Sequence, residues 1–549
     1  MQADQLFTGG TVRTGVPGAQ PGTALAVAGG RVLALGQDAL DCRGPRTEVT
    51  DLAGGALLPS FGDGHAHPLL GGLGLRGVPV RQARSVAEIL AAVAAWAAEH
   101  PDAEWVTGDA FDPTLAEGGR FDARWLDTAV AGRPVALRTM DHHTMWVNSE
   151  ALRRAGLDAG TPEPAAGQIV RRADGSPLGT LREWGAIGPV LDLLPAPGPA
   201  EQAVALAEVN GLFAAAGITW VQDAWVEHDQ VDAWLAAADA GLLRFRANLA
   251  FRAEPVSWKD QLAEFAADRD RVRQGAPDWL TARTVKFFAD GVIEAGTAAL
   301  LDPYHDCPHS HGIANWTPGE LADAITAVDA AGFQAHVHAI GDGGVRLALD
   351  AIAETARRNG PADRRPVLAH IQLIDPADLP RFAGLGVIAN LEPLWAQPDP
   401  LMKELTLPRV GPARGARQYQ IATLMNSGAR VSFGSDWPVT AYQPLHGIAT
   451  AITRQTPAGD PDGGWLPAER ITAAAALAAY SAGVAYQAFD ERHWGVLRPG
   501  MTFSNEPTIC IYGEFGIRLE DHMVITEAGA RWFTQPAHSV DDPFGVDVR

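Results

Sequence analysis

The sequence predicts an α/β fold whose main body is a parallel (β/α)8 barrel. From residue 57 onward, eight short apolar runs alternate with Ala-rich segments of helical character, such as SVAEILAAVAAWAAEH and ELADAITAVDAAG. Parallel strands need crossover connections between them, and these are usually helices. No Gly-rich dinucleotide loop follows the first run, which disfavours the alternative of an open, doubly wound sheet.

Two further parts of the chain, before the first run and between the first two runs, have a different pattern. Residues 1–56 contain short apolar stretches broken by Gly and Pro, and TALAVAGGRVLALG predicts a hairpin around its Gly-Gly turn. The region from about 75 to 130 is too long for a simple strand-to-helix loop, so it predicts an inserted lobe. The eight runs are ALLPSFGDGHAH, PVALRTMDHH, ITWVQDA, TVKFFADG, FQAHVHAIGD, PVLAHIQ, GVIANLEP and RVSFGSD.

The overall charge excludes two classes of partner. The chain has 65 Asp+Glu against 43 Lys+Arg, a formal net charge of −22. Nucleic-acid-binding proteins carry a basic patch or stripe, and an acidic membrane surface attracts clustered Lys and Arg. We therefore expect neither nucleic acid nor membrane among the partners.

The expected location is the cytoplasm. No apolar run reaches 18 residues, and the first residues, MQADQLFTGGTVRTG, lack the basic and apolar regions of a signal peptide. Cys42, Cys307 and Cys510 are far apart and odd in number, which disfavours a disulfide framework.

Residues of the types that bind metal ions end several of the predicted strands. The C-terminal ends of barrel strands form the face on which active sites are built. Residues two apart on a strand point to the same side, so both histidines of a His-x-His pair can face one ion. A lone His-x-His pair is as often a solvated pair, and the prediction depends on the whole set. The set consists of His65, His67, Lys286, His336, His338, His370 and Asp436.

Lys286 is one of only three lysines in the chain, and it lies inside an apolar run. A side chain that only snorkels to the strand end is one interpretation. Burial of an unpaired ammonium is costly, which favours the other interpretation. In that interpretation Lys286 reacts with carbon dioxide and becomes a carbamate, whose negative charge bridges two cations.

Eight stretches occur in an order typical of one enzyme family. They are LLPSFGDGHAHP, MDHHTMWVNSEAL, GTLREWG, GITWVQDA, TVKFFADGVIEAGTAALLDPY, HVHAIGDGGVRLALDA, LAHIQLI and VSFGSDWPV. From about residue 5 to 498 the chain resembles the amidohydrolase superfamily, specifically amidohydrolase family 3 with its N-substituted formamide deformylase-like enzymes. The resemblance implies a (β/α)8 barrel, a small β-sandwich built from both chain ends, and a divalent metal site.

The resemblance also implies a role for individual residues. We expect two zinc ions, with Mn or Fe as alternative metals and a single ion as an alternative count. Choosing His338 rather than His336 rests on the match to H-A-I-G-D. The implied metal ligands are His65 and His67 from the first strand, the carbamylated Lys286, His338 and His370 from the fifth and sixth strands, and Asp436 from the last strand.

The implied reaction is hydrolysis of a carbon–nitrogen bond, other than a peptide bond, in a small-molecule amide or formamide. A metal lowers the pKa of bound water from about 15.7 towards about 7, which provides hydroxide at neutral pH. Asp436 would take the proton and deliver it to the leaving amine. His143 is the second candidate catalytic residue, with a packed histidine as the alternative. Glu183, Asp290 and Glu294 are weaker candidates for the pocket, with solvated loop carboxylates as the more common alternative. A homodimer is a candidate assembly.

From about residue 499 the chain departs from the family pattern. The segment PGMTFSNEPTICIYGEFGIRLEDHMVITEAGARWFT resembles the C-terminal end of creatinase/prolidase-like metallopeptidases, whose glutamate ligands map onto Glu506 and Glu520. The other ligands of that family are absent upstream, so we interpret the segment as a graft that contributes strands to the sandwich. The alternative functions are a catalytically impaired chimera and, less favoured, a proline-type metallopeptidase. The predicted parts are 1–56 and 491–549 for the sandwich and 57–490 for the barrel.

Overall fold

The computed structural model describes residues 1–16, 18–164 and 166–501, together with the backbone of four short strands between 509 and 532. Its main body is an eight-stranded parallel sheet in which each strand pairs with the next one along the chain. The first and last strands meet where the Asp436 amide donates a hydrogen bond to the His65 carbonyl at 2.7 Å, so the sheet nearly closes into the predicted barrel. The barrel strands are Phe61–Ala66, Ile218–Val226, Arg246–Arg252, Leu280–Phe288, Gln334–Ala339, Val367–His370, Ile388–Leu391 and Arg430–Phe433.

One of the eight predicted barrel strands is wrong. The run PVALRTMDHH forms the strand Val135–Thr139 of a separate sheet, and the third barrel strand is Arg246–Arg252 instead. Val135–Thr139 is buried on both faces because it separates two apolar clusters, so it resembles a barrel strand in sequence. Arg246–Arg252 has an arginine at each end and only a short apolar centre, so its sequence does not stand out as a strand.

A lobe is inserted between the first and second barrel strands. It contains a five-stranded sheet with its own core and extends well beyond residue 130. The antiparallel pair Val135–Thr139 and Thr144–Val147 ends in a tight turn, Met140 to His143, that reaches the barrel. The strands of this sheet are Val106–Phe111, Val135–Thr139, Thr144–Val147, Gln168–Arg171 and Pro177–Arg182.

Helices surround the barrel and bury their apolar faces against it. The fully buried Trp234 and Phe213 belong to the main cluster between barrel strands and helices. Thr317 and Glu320 form a reciprocal capping box at the start of one helix, which satisfies its first backbone amides. In the part of the chain that the structure describes, no helix has the length and apolarity needed to cross a bilayer. The α-helices are Gln37–Leu40, Pro68–Gly74, Val86–Glu99, Ala123–Ala129, Ser149–Arg154, Trp184–Leu191, Pro199–Ala215, Val231–Asp239, Trp258–Gly275, Pro318–Ala330, Asp342–Asn359, Leu379–Leu385, Leu407–Gly415, Ile421–Asn426, Pro444–Thr453, Ala473–Ala478 and Val484–Gln487.

Two small sheets bring the chain ends together as the predicted β-sandwich. Phe7 and Val27 of one sheet and Val12 and Leu57 of the other belong to a single buried cluster. The later segment adds Ile509–Gly513, which pairs antiparallel with Ala56–Leu57. Glu506 and Glu520 lie outside the described residues. The strands are Gln5–Thr8, Leu25–Ala28, Arg31–Leu35 and Glu48–Asp51 in the first sheet, Thr11–Val12, Ala56–Leu57, Ile509–Gly513 and Gly516–Leu519 in the second, and Met523–Thr526 and Gly529–Trp532 in a separate hairpin.

Candidate active site

Three side chains converge where the first and last barrel strands end. His65 and His67 are two residues apart, and Asp436 follows the eighth strand. The Asp436 Oδ1 atom lies 3.0 Å from His67 Nε2 and 3.4 Å from His65 Nε2. One ligand atom from each residue lies within 4.8 Å of the other two, and all three residues are buried. This is a donor set of the kind that holds a divalent ion.

Lys286 reaches the same point from the fourth barrel strand. Its side chain is fully buried, and its Nζ atom lies 3.3 Å from His65 Nε2. Burial lowers the pKa of Lys286 to about 7, although the carboxylates of Asp436 and Glu392 oppose that shift. A buried amine with this pKa is partly uncharged at neutral pH and is therefore nucleophilic.

The two histidines of the fifth strand face different surroundings. His336 Nε2 lies 2.9 Å from His65 Nδ1, so a hydrogen bond between them orients the His65 ring. His338 lines the central cavity, and its ring centroid lies 4.7 Å from that of His370. Burial lowers the pKa of both His336 and His338 well below the ordinary value, so both imidazoles are neutral.

Two buried carboxylates hydrogen-bond the predicted ligands or the residues next to them. The Glu392 Oε2 atom accepts a hydrogen bond from His370 Nδ1 at 2.9 Å, and burial lowers the pKa of His370 to about 3. The Asp63 carboxylate accepts hydrogen bonds from the Ser435 amide at 3.0 Å and the Ser435 hydroxyl at 2.5 Å. Asp63 also accepts from the His65 amide at 3.2 Å, so it ties the first strand to the residue beside Asp436. Such outer contacts orient metal ligands.

The turn of the inserted lobe places two histidines at the cavity. His143 Nδ1 lies 2.8 Å from Glu183 Oε2. Burial disfavours the charged imidazole, but the adjacent Glu183 carboxylate outweighs it and raises the pKa of His143 to about 9. His142 is the preceding residue in the same turn and also lines the cavity.

The cavity is lined by these polar side chains and by a group of apolar ones. Trp184, Trp225, Phe288 and Trp395 supply aromatic surface, and Trp395 stacks on His370 with ring centroids 5.2 Å apart. The lining therefore joins many convergent titratable groups to an aromatic wall, an arrangement that can bind and orient a small molecule.

The structure brings most of the predicted residues together. The predicted ligands His65, His67, Lys286, His338, His370 and Asp436 all line one cavity, together with His143. His143 reaches it from the lobe and not from a barrel strand. The sequence interpretation missed His142, Asp63 and Glu392. Glu392 follows a predicted strand directly, and that position was a usable signal.

Comparisons with known proteins agree with this geometry. A model of the amidohydrolase family matches residues 48–502. The protein LONG AFTER FAR-RED 3 of Arabidopsis thaliana is 30% identical over 91% of this chain and 86% of its own length. The N-substituted formamide deformylase of Arthrobacter pascens is 27% identical over 89% of this chain and 91% of its own. A metal-dependent hydrolase structure from Pyrococcus horikoshii has the same fold, with a TM-score of 0.70, 21% identity, and coverage of 93% of this chain and 97% of its own. Most of the chain therefore matches one family, and the protein belongs to the amidohydrolase family.

Proposed function

We propose that the protein is a metal-dependent hydrolase that cleaves the carbon–nitrogen bond of a small-molecule amide or formamide, other than a peptide bond. The observation that carries the proposal is the convergence of His65, His67 and Asp436 on one point, with Lys286 3.3 Å from His65. Similarity to an N-substituted formamide deformylase supports the bond type.

The donor set contains the ligand types that divalent ions prefer, and two ions is the count in this proposal. Neutral imidazoles and a carboxylate are the ligands that zinc prefers, and Mn or Fe fit the same donors. Nζ of Lys286 can attack carbon dioxide, which forms an N–C bond and releases one proton. As a carbamate, Lys286 would hold the metal together with His65, His67, His338, His370 and Asp436.

Bound metal would supply a Lewis acid and acidify a water molecule. Burial alone would raise the pKa of Asp436, but the hydrogen bond from His67 and the charges of His370 and Lys286 lower it, so the carboxylate is ionised. Asp436 therefore accepts a proton from the attacking water and passes it to the leaving nitrogen.

His143 is the second catalytic residue in this proposal. Because its Nδ1 atom is engaged by Glu183 and its pKa is raised to about 9, the ring is protonated at neutral pH. Its Nε2–H group is then free to donate a hydrogen bond to the carbonyl oxygen of the substrate, where negative charge develops.

Metal analysis combined with an amidase assay tests the proposal. Protein purified without chelators should contain about two ions per chain and release formate from N-substituted formamides. Lys286→Ala should lose metal and activity, whereas the matched control Lys403→Ala, at an exposed lysine, should keep both. Full activity in metal-free protein would contradict the proposal. A cooperative melt with bound metal would argue against the impaired chimera, whereas protein that neither binds metal nor melts cooperatively would support it.

A further inference from the structure

His142 is buried but unsatisfied at the wall of the cavity. The residue is only 5% exposed, and neither ring nitrogen has a hydrogen-bond partner among the described residues. The nearest carboxylate is that of Asp109, whose Oδ1 atom lies 3.8 Å from His142 Nδ1, beyond hydrogen-bond distance. A buried imidazole without partners is unfavourable unless a ligand in the cavity uses its nitrogens.

The backbone at His142 is also strained. Its φ angle is 60°, in the left-handed region that non-glycine residues rarely adopt. The turn is held in this form because the His142 amide donates to the Thr139 carbonyl at 3.0 Å and the His143 amide to Asp141 Oδ1 at 3.0 Å. Residues held in this region are enriched at active sites and ligand clamps. Unpartnered ring nitrogens and a left-handed backbone, two independent unfavourable features, therefore occur together at one residue that lines the cavity.

We propose that His142 is a specificity-determining residue that hydrogen-bonds an uncharged polar group of the substrate, such as a carboxamide, next to the nitrogen of the amide that is cleaved. This inference rests on the proposed function, because it assigns part of the substrate for that same site. The aromatic walls formed by Trp184, Trp225, Phe288 and Trp395 would hold an apolar substituent on the same substrate.

The charges around His142 favour an uncharged group over a carboxylate. Arg138 is already paired, because its Nε atom donates to Asp109 Oδ1 at 2.7 Å. Among the described residues, the cavity lining includes no arginine, and its one lysine is Lys286. Burial and the nearby Arg138 lower the pKa of His142 well below its ordinary value, so the ring is neutral.

Arg81 also lies near His142, but its guanidinium donates to the Pro438 carbonyl and does not line the cavity. Of the cationic groups in the lining, His143 is paired with Glu183 and Lys286 belongs to the proposed metal site, so neither is left to pair with a substrate carboxylate.

Three formamides that differ in one group test this proposal on the metal-loaded protein. They are N-formylphenylalaninamide, N-(2-phenylethyl)formamide and N-formylphenylalanine, which place a carboxamide, a hydrogen or a carboxylate beside the scissile bond. We expect kcat/KM to fall in that order. In His142→Gly, which adopts the same φ without strain, kcat/KM for the carboxamide should fall about 10-fold to 100-fold. The value for N-(2-phenylethyl)formamide should change by less than about threefold.

His142→Asn is the matched control variant. Asparagine tolerates the left-handed region and keeps one donor and one acceptor, so it should retain the preference for the carboxamide. Fastest hydrolysis of N-formylphenylalanine by the parent, or an equal loss for all three substrates in His142→Gly, would overturn the proposal.

A binding measurement separates this inference from the proposed function. Phenylalaninamide, 2-phenylethylamine and phenylalanine are the corresponding product amines, and their dissociation constants need no turnover. Tighter binding of phenylalaninamide by the parent than by His142→Gly supports the role of His142 even if no formate is released. Equal binding by the two proteins refutes it, whereas absence of formate release with every substrate counts against the proposed function alone.

Discussion

Replacing Glu392 by leucine tests how the site holds His370. Glu392 follows the seventh barrel strand and is 1% exposed. Its Oε2 atom accepts the hydrogen bond from His370 Nδ1 at 2.9 Å, and its Oε1 atom has no hydrogen-bond partner among the described residues. One hydrogen bond therefore keeps the other nitrogen of His370 turned towards the cavity, and the substitution removes it.

The expected effects on metal binding and on stability have opposite signs. In the proposed function His370 is a metal ligand, and loss of a ligand's outer partner weakens metal affinity about 10-fold to 100-fold, which corresponds to about 1.4–2.8 kcal/mol. In the metal-free protein, the substitution removes a buried carboxylate that is only half satisfied. Burial and the nearby Asp436 raise the pKa of Glu392 well above its ordinary value, which shows that the charged form is disfavoured there. We therefore expect the metal-free variant to unfold at the same temperature as the parent or at a higher one.

Competition against a zinc buffer measures the affinity, and calorimetry of chelated protein measures the stability. Glu392→Gln is the control, because its amide oxygen still accepts a hydrogen bond from His370 and should preserve most of the affinity. Unchanged zinc affinity in Glu392→Leu would show that the hydrogen bond does not orient His370. A large loss of stability in the metal-free form would show that Glu392 instead holds the fold.

Three further predictions concern stability and pH. Trp234→Ala should cost about 3–5 kcal/mol in urea unfolding, because the side chain is fully buried in the main core; a loss below 1 kcal/mol would contradict that packing. Thr317→Ala should cost about 1 kcal/mol by the loss of the capping box with Glu320, with Thr317→Ser as the neutral control. The raised pKa of His143 means that its pairing with Glu183 stabilises the folded state fully below pH 6.5 and is lost as the pH rises through about 9. Stability of the parent should therefore fall over that window more steeply than stability of Glu183→Gln, and parallel pH profiles would refute the pairing.

The sequence predicted those site residues that combine a metal-binding side chain with a position in or at the end of a predicted strand. His65, His67, Lys286 and Asp436 each end or occupy a strand of a repeating pattern, and parallel strands bring such ends to one face of a barrel. Their convergence could therefore be predicted before any distance was known. The strand that precedes His143 lies in the lobe and not in the barrel, and a strand buried on both faces has the same apolar pattern in either place.

By itself the sequence determined the class of fold, the family and the residue types at the C-terminal ends of the barrel strands, since these follow from periodicity, order and composition, which are local properties of the chain. Only the tertiary structure decided which histidine of the fifth strand lines the cavity and which one bonds to His65. It also decided that an inserted lobe supplies His142 and His143, and that Glu183 and Glu392 each hold a histidine. These contacts join residues that are far apart along the chain or in separate elements. Their geometry depends on how the lobe packs against the barrel, which no local pattern contains.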